Sequence, residues 1–435
     1  MIWDKHEVWS REELGKLQLA RLQETVARAY GKVPFYKEAF DERGLVPEDI
    51  KSLADLSKLP FTTKDDLRRY YPYGMFAVPM REIVRVHSSS GTTGIPTVVG
   101  YTRRDLETWN DLVARIISQA GVTADDIVQI SFGYGMFTGG FGLHYGMERV
   151  GATVIPISAG NTLRQIRTMR DFGTTALVST PSYALHMAEV ALENGIDPKR
   201  DLNVRVGLFG GEGSSDWLRE EIEERWGMRA TDNYGLSEVM GPGIAGECEA
   251  AAGMHISEDH IIAEVIDPKT GEQLPYGQEG ELVLTAINKE ALPVLRFRTK
   301  DLTTLSPEPC ACGRNTVRMA RVLGRTDDMM VIRGVNVFPS QIEAALAEIP
   351  EVAPFYQLIV ETKNYLDQLT VEVEVPQHYF TGSFGELEAL QQKIGGKLQT
   401  ILGLSAKVLL VEPKTLPRTA GKAKRVVDNR NAGRV

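Results

Sequence analysis

The stretch "VRVGLFGGEG" (Val204–Gly213), continued by "SSDWLREEIEERWG" (Ser214–Gly227), decides how the chain is read. A short apolar run ends in glycines, and a Ser/Asp cap then opens a segment of helical period that Gly227 closes. This is a buried strand turning into an amphipathic helix, a turn that places ligands at the carboxyl end of the strand. The pattern repeats upstream. From about residue 80 to 235, "EIVRVHSSS", "DIVQISFGYG", "GATVIPIS" and "TTALVSTPS" each precede a helical stretch or a Gly-rich turn, which predicts α/β units with mostly parallel strands.

After Gly253 the texture changes to short alternating strands, as in "HIIAEVIDPKTGEQLPYGQEGELVLTAI", with turns at Pro268, Gly271 and Gly277. This predicts an antiparallel β-subdomain. A second change follows "GRTDD" (Gly324–Asp328). Beyond it, a capping-box helix start at Ser340 and Glu343, strands in "FYQLIVE" and "LTVEVEV" and a helix in "FGELEALQQKIGGKLQTIL" predict a small α+β domain with its own core. The expected organisation is a large α/β domain over residues 1–326 and a small mobile C-terminal domain over 327–435.

The chain has 435 residues, 43% of them apolar and 25% charged, with no apolar run near the twenty needed to span a bilayer. The opening "MIWDKHEVWSREELGKLQ" has acidic residues throughout and no signal-peptide core, so the cytoplasm is the expected compartment and no membrane partner is expected. A net charge of -9 without a basic, aromatic-interleaved run argues against nucleic acid.

"SSSGTTGIPT" (Ser88–Thr97) resembles a phosphate loop but lacks the lysine of a P-loop, which disfavours a Walker-type NTPase. Its backbone N–H groups and hydroxyls can still converge on phosphate oxygens, although a bare Gly/Ser/Thr run also suits an exposed loop. The three cysteines do not make a disulfide framework. Cys248, His255, Cys310 and Cys312 lie as C-x6-H followed by C-x-C. Three thiolates and an imidazole suit a structural zinc ion, yet the spacing is not that of a familiar finger and C-x-C is tight for two ligands.

Seven segments, in order, resemble the acyl-adenylate-forming superfamily, and within it the phenylacetate-CoA ligase branch. They are "LQLARLQETVARAYGKVPFY", "SSSGTTGIPTVVGYT", "FGYGMFTGGFGLHYG", "DNYGLSE", "FRTKDLT", "GRTDDMMVIRGVNVFPSQIE" and "LPRTAGKAKR". The resemblance implies an ATP-dependent ligase that converts an aromatic acid to acyl-AMP with release of pyrophosphate, then transfers the acyl group to CoA. It implies that Ser88, Ser89, Ser90, Gly91, Thr92, Thr93 and Gly94 hold the β- and γ-phosphates, and that Gly211, Glu212, Asp232, Asn233, Tyr234 and Gly235 line the adenine side. Asp301 and Arg325 fall at the ribose positions, Glu238 at the Mg²⁺ ligand and Lys422 at the lysine that bridges the acid carboxylate and the α-phosphate. Asp327 takes the hinge position, and Gly334 the pantetheine tunnel of CoA. Two positions depart from the wider pattern: Lys300 replaces a usual glycine, and Thr97 stands where many relatives have lysine.

Phe132, Tyr134, Phe137 and Phe141, among six glycines, are expected to form a flat apolar slot for an aryl acid. Some relatives in this branch carry a zinc site like the Cys/His set; a catalytic cysteine is the alternative. Other readings stay open: a different aromatic acid, another thiol acceptor, or a non-catalytic acyl-adenylate-binding protein. The expected partners are small molecules, with a homodimer also compatible.

Overall fold

The computed structural model describes residues 1–89, 95–333, 335–363, 366–381 and 384–430. Its frame is a nine-stranded sheet, parallel over the five strands that run to one edge and antiparallel over the rest. Ile127–Ile130 lies between Thr153–Ile155 and Ala176–Ser179, followed by Val206–Phe209 and Arg229–Leu236, all in parallel register. All four residues of "VGLF" are buried, as expected of a strand covered on both faces. The helix after it, Asp216–Trp226, is capped by the Ser215 side chain and ends on Gly227 in the left-handed conformation.

Two features differ from the sequence reading. Arg85–Ser88 does not join the parallel sheet; it pairs antiparallel with Val98–Tyr101, so the strand before the phosphate-type segment is partnered by the strand after it. The sheet also continues beyond Arg229–Leu236 in antiparallel sense, through Gly241–Glu247 and Met254–Ile256. The β-subdomain after Gly253 is present as the antiparallel order Ile261–Ile266, Gly280–Ala286, Val294–Thr303 and Gly324–Arg325.

The C-terminal part has its own sheet, with the long hairpin Tyr356–Lys363 and Leu366–Glu374 flanked by parallel partners Val426–Asp428 and Lys407–Val411. Its core, built around Leu358, Val371, Ile394 and Leu398, is separate from the large cluster of the N-terminal part. The Ser340/Glu343 capping box is corrected: the helix is Pro339–Ala347, with Phe338 at the cap and proline in the first turn. Gln341 accepts the Phe338 N–H (3.1 Å), while Glu343 accepts from Ser215 (2.6 Å) and Tyr356 (2.8 Å).

Candidate active site

The carboxyl ends of the parallel strands lead into Phe132, Thr180, Gly211 and the 232–235 segment, so the expected cleft lies where open α/β sheets bind ligands. Asp301, in the strand Val294–Thr303, is buried and accepts the Tyr234 hydroxyl at 2.5 Å and an Arg325 N–H at 2.6 Å. Burial raises the Asp301 pKa, and Arg325 and Tyr234 offset this only in part. Burial opposes the Arg325 charge as well, but the Asp301 and Asp327 carboxylates raise its pKa on balance. Arg325 donates two further bonds to Asp327 (2.9 and 3.1 Å), so Asp301 and Asp327 share one guanidinium. Lys300, beside Asp301, has φ +69°, which explains the glycine usual at this position: lysine carries the strain here, roughly 1–2 kcal/mol.

Gly235 has a steric reason. A Cβ there would lie 2.3 Å from the Gly241 carbonyl oxygen, where the hairpin register shifts. Asn233 donates to the Phe209 carbonyl (2.6 Å), and Asp232 is bound by Arg321 (2.5 Å), with burial the main cause of its raised pKa. The Asp232 carboxylate is thus committed to a protein partner.

Glu238 is buried, and its Oε1 accepts the Thr97 hydroxyl at 3.0 Å. Thr97 also pairs with Ser89, so Ser89 is tied to Glu238 through Thr97. Sequence reasoning missed Lys64, whose Nζ lies 3.4 Å from the same Oε1. Lys64 begins the helix Lys64–Arg69 after the Thr63 cap, in "FTTKDDL". The signal was the absence of a loop lysine, which calls for a cation from elsewhere. Ser90, Gly91, Thr92, Thr93, Gly94 and Gly334 lie outside the described residues.

Lys422 enters the cleft from the C-terminal part. A Cβ on Gly211 would be 3.8 Å from Lys422 Cε and 3.7 Å from Phe132, ordinary contact distances, so these groups border the glycine and it is the positive φ of +85° that calls for it. Lys422 Nζ is 5.7 Å from the Phe137 ring centroid. Desolvation lowers its pKa, with Glu212 opposing. Glu212 accepts the N–H groups of Ser182 (2.7 Å) and Ala423 (2.8 Å), so it fixes the lysine's loop to the large domain.

The four aromatics divide into two groups. Phe132 and Phe137 pair at 6.5 Å beside Gly211 and Lys422, whereas Tyr134 and Phe141 meet edge-to-face at 5.3 Å among His87, His144 and Tyr145. Of the six glycines, Gly142 and Gly146 serve helix packing: a Cβ at either would enter Trp109 and Pro242, or Val113. They let the helix Thr138–Val150 approach Arg103–Gln119.

The fold gathers Cys248, His255, Cys310 and Cys312, whose ligand atoms all lie within 4.8 Å of one another. Cys248 and Cys310 sulfurs are 3.7 Å apart, and Cys312 Sγ is 3.3 Å from His255 Nε2. His255 Nδ1 pairs with Thr316 (3.0 Å), which orients Nε2 toward the sulfurs as a metal ligand requires. Burial lowers the His255 pKa to about 4, keeping the imidazole neutral. It raises Cys248 to about 12 and opposes the Cys312 thiolate as well, but there hydrogen bonds from Arg314, Cys310 and Cys248 together lower the pKa. The donor set fits zinc.

This geometry belongs to a known class. Residues 44–288 match the AMP-binding enzyme family and residues 334–430 the AMP-binding enzyme C-terminal domain. The chain overlays 2-hydroxyisobutyryl-CoA ligase in its postadenylation state with TM-score 0.91 at 32% identity, covering 98% of this chain and 92% of that one. Against the same ligase in its thioesterification state the TM-score is 0.72. In sequence it is 51% identical to a phenylacetate-coenzyme A ligase of Aromatoleum evansii (97% of this chain, 96% of that one). It is 46% identical to that of Thermus thermophilus (98% of each). The chain belongs to the phenylacetate-CoA ligase family of acyl-adenylate-forming enzymes. It is an ATP-dependent ligase that activates a carboxylic acid as its acyl-adenylate.

Proposed function

We propose that the enzyme joins an arylacetic acid, phenylacetate first, to coenzyme A through an acyl-AMP intermediate. The observation that carries the acid class is Lys422 poised beside Phe132 and Phe137: a cation that can meet a carboxylate, next to two rings that can flank an aryl group. The likeness to phenylacetate-coenzyme A ligases supports the same acid.

In the first half-reaction, the acid carboxylate attacks the α-phosphate and pyrophosphate leaves. Lys422 stabilises the charge shared by carboxylate and phosphate, and Lys64 adds a cation on the Glu238 side. Asp301 holds the ribose diol, fixed in place by Tyr234 and Arg325. Glu238 and nearby phosphate oxygens would hold Mg²⁺, which when bound supplies charge neutralisation. In the second half-reaction the CoA thiolate displaces AMP, after the small domain turns about Asp327 and withdraws Lys422. The Cys/His set would hold a structural zinc ion.

Pyrophosphate release across phenylacetate, benzoate, octanoate and acetate, with and without CoA, tests the reading. Phenylacetate is expected to have the highest kcat/KM, with sustained turnover only when CoA is present. A medium-chain fatty acid as best substrate would overturn the aryl assignment.

A further inference from the structure

Arg418 lies four residues before Lys422, in "LPRTAGKAKR", and the mechanism above gives it no task. Its side chain is only 12% exposed, with the guanidinium carbon 3.4 Å from the Phe355 ring centroid. Two carboxylates grip it. Glu374, in the small domain's own sheet, accepts from Nη1 at 2.8 Å and Nη2 at 2.7 Å. Glu189, in the large-domain helix Pro181–Glu193, accepts from Nε at 3.1 Å and Nη2 at 3.3 Å.

The two grips differ in kind. Glu374 moves with Arg418; Glu189 does not. Glu374 is nearly inaccessible and also accepts the Leu416 N–H (2.9 Å), so it binds Arg418 wherever the small domain sits. Glu189 is more exposed and has His186 3.7 Å away, so it can be left without Arg418 at modest cost. The helix that carries Glu189 also holds Lys422's loop at its other end. Its cap Thr180 donates to the Gly421 carbonyl (3.2 Å), and Ser182 shares Glu212 with Ala423. The helix and its cap therefore hold the loop directly at two points, Glu189 and Thr180, and at a third through Glu212.

We propose that Arg418 is a positioning residue for the first half-reaction, fastening the Lys422 loop to the large domain through Glu189 and parting from Glu189 alone when the small domain moves. The small domain never carries an unpaired buried guanidinium, because Glu374 stays with it. The contact to Glu189 is the part that is made and broken. It belongs to the arrangement shared with the postadenylation form of 2-hydroxyisobutyryl-CoA ligase, the one this chain overlays better.

The inference rests on the reading of Lys422, so Lys422→Ala is measured alongside. The test uses the full chain, with single-turnover phenylacetyl-AMP formation beside thioester formation from supplied phenylacetyl-AMP and CoA. Glu189→Gln removes the large-domain grip without touching the small domain's fold. It should slow acyl-AMP formation by about tenfold and leave thioester formation unchanged or faster, with Glu189→Asp recovering part of the loss. Arg418→Lys, which keeps charge but loses the fork, should give the same split. Glu189→Gln with no effect, or with equal loss in both assays, overturns the latch while a selective loss in Lys422→Ala leaves the lysine's role standing. Equal loss in both assays for Lys422→Ala overturns that role and the latch with it.

Discussion

Replacing Asp301 with asparagine separates a nucleotide-binding carboxylate from a structural one. Asp301 Oδ2 receives the Tyr234 hydroxyl and Oδ1 an Arg325 N–H. In Asp301→Asn the amide oxygen can still face Arg325. The new NH2 can face Tyr234, whose hydroxyl can accept as well as donate. Arg325 also keeps its two bonds to Asp327. The folded protein therefore loses a charge and leaves the hydrogen of the buried Tyr234 hydroxyl without its acceptor, a cost of about 1–2 kcal/mol.

The ribose diol fares worse. Two hydroxyls that would donate to a carboxylate meet a neutral amide with one acceptor, which forfeits about 2–3 kcal/mol of charge-assisted hydrogen bonding. With 1.4 kcal/mol to each factor of ten, kcat/KM for ATP should fall roughly 30- to 150-fold. The KM for the acid should stay near that of the parent. The assay is initial-rate pyrophosphate release with ATP varied at saturating acid, paired with thermal unfolding. A fall in melting temperature with the KM for ATP held within about threefold would refute the argument and leave Asp301 a structural residue.

Lys64→Ala should reduce kcat/KM for ATP by about tenfold or more with little change in melting temperature, since Lys64 is partly exposed and touches Glu238 rather than the core. Pyrophosphate-release kinetics would read this, and an unchanged rate would remove Lys64 from the phosphate site. Purified enzyme should carry about one zinc per chain, and Cys310→Ser should lower thermal stability more than substrate affinity; elemental analysis without a transition metal would refute it. Lys289 is fully buried, donates to the Val239 carbonyl (2.9 Å), and has its pKa lowered to about 8 by desolvation, against opposing Asp105 and Glu238. Between about pH 8 and the ordinary value of 10.5 the unfolded chain binds more protons at this site than the folded one, so stability rises with pH across that window. Lys289→Met should flatten the rise by about 2–3 kcal/mol in denaturant titrations at pH 8 and 10, and an unaltered slope would contradict the assignment.

Much of the frame was legible because it rests on local rules. The strand Val206–Phe209, its glycine turn, the Ser215 cap and the Gly227 stop are all written within two dozen consecutive residues. The β-subdomain and the helix Phe384–Leu402 were readable for the same reason. What escaped depends on residues far apart in sequence. Arg85–Ser88 pairs with Val98–Tyr101 and not with the main sheet, which no period in "EIVRVHSSS" encodes. Lys64 meets Glu238 across 174 positions of chain, and its own neighbourhood shows only an ordinary helix start. The aromatic segment misled in part, because a glycine that opens a ligand slot and one that admits a neighbouring helix look alike in sequence: Gly142 and Gly146 are of the second kind. The Cys/His set was legible as a list of residue types, but only the fold brings Cys248 to Cys310.

The separate core of the C-terminal part has a consequence for how the enzyme melts. Its apolar cluster is closed around its own sheet and helices, and it meets the large domain through Phe355, Leu416, Trp217 and a few polar contacts. Two cores joined by a modest interface are two cooperative units, so a single unfolding free energy does not describe the chain. Calorimetry of the free enzyme should resolve two overlapping heat absorptions, the smaller from the C-terminal unit. A non-hydrolysable acyl-adenylate mimic, which on the proposed reading Asp301 would hold from one side and Lys422 from the other, would tie the units together and draw the two absorptions into one.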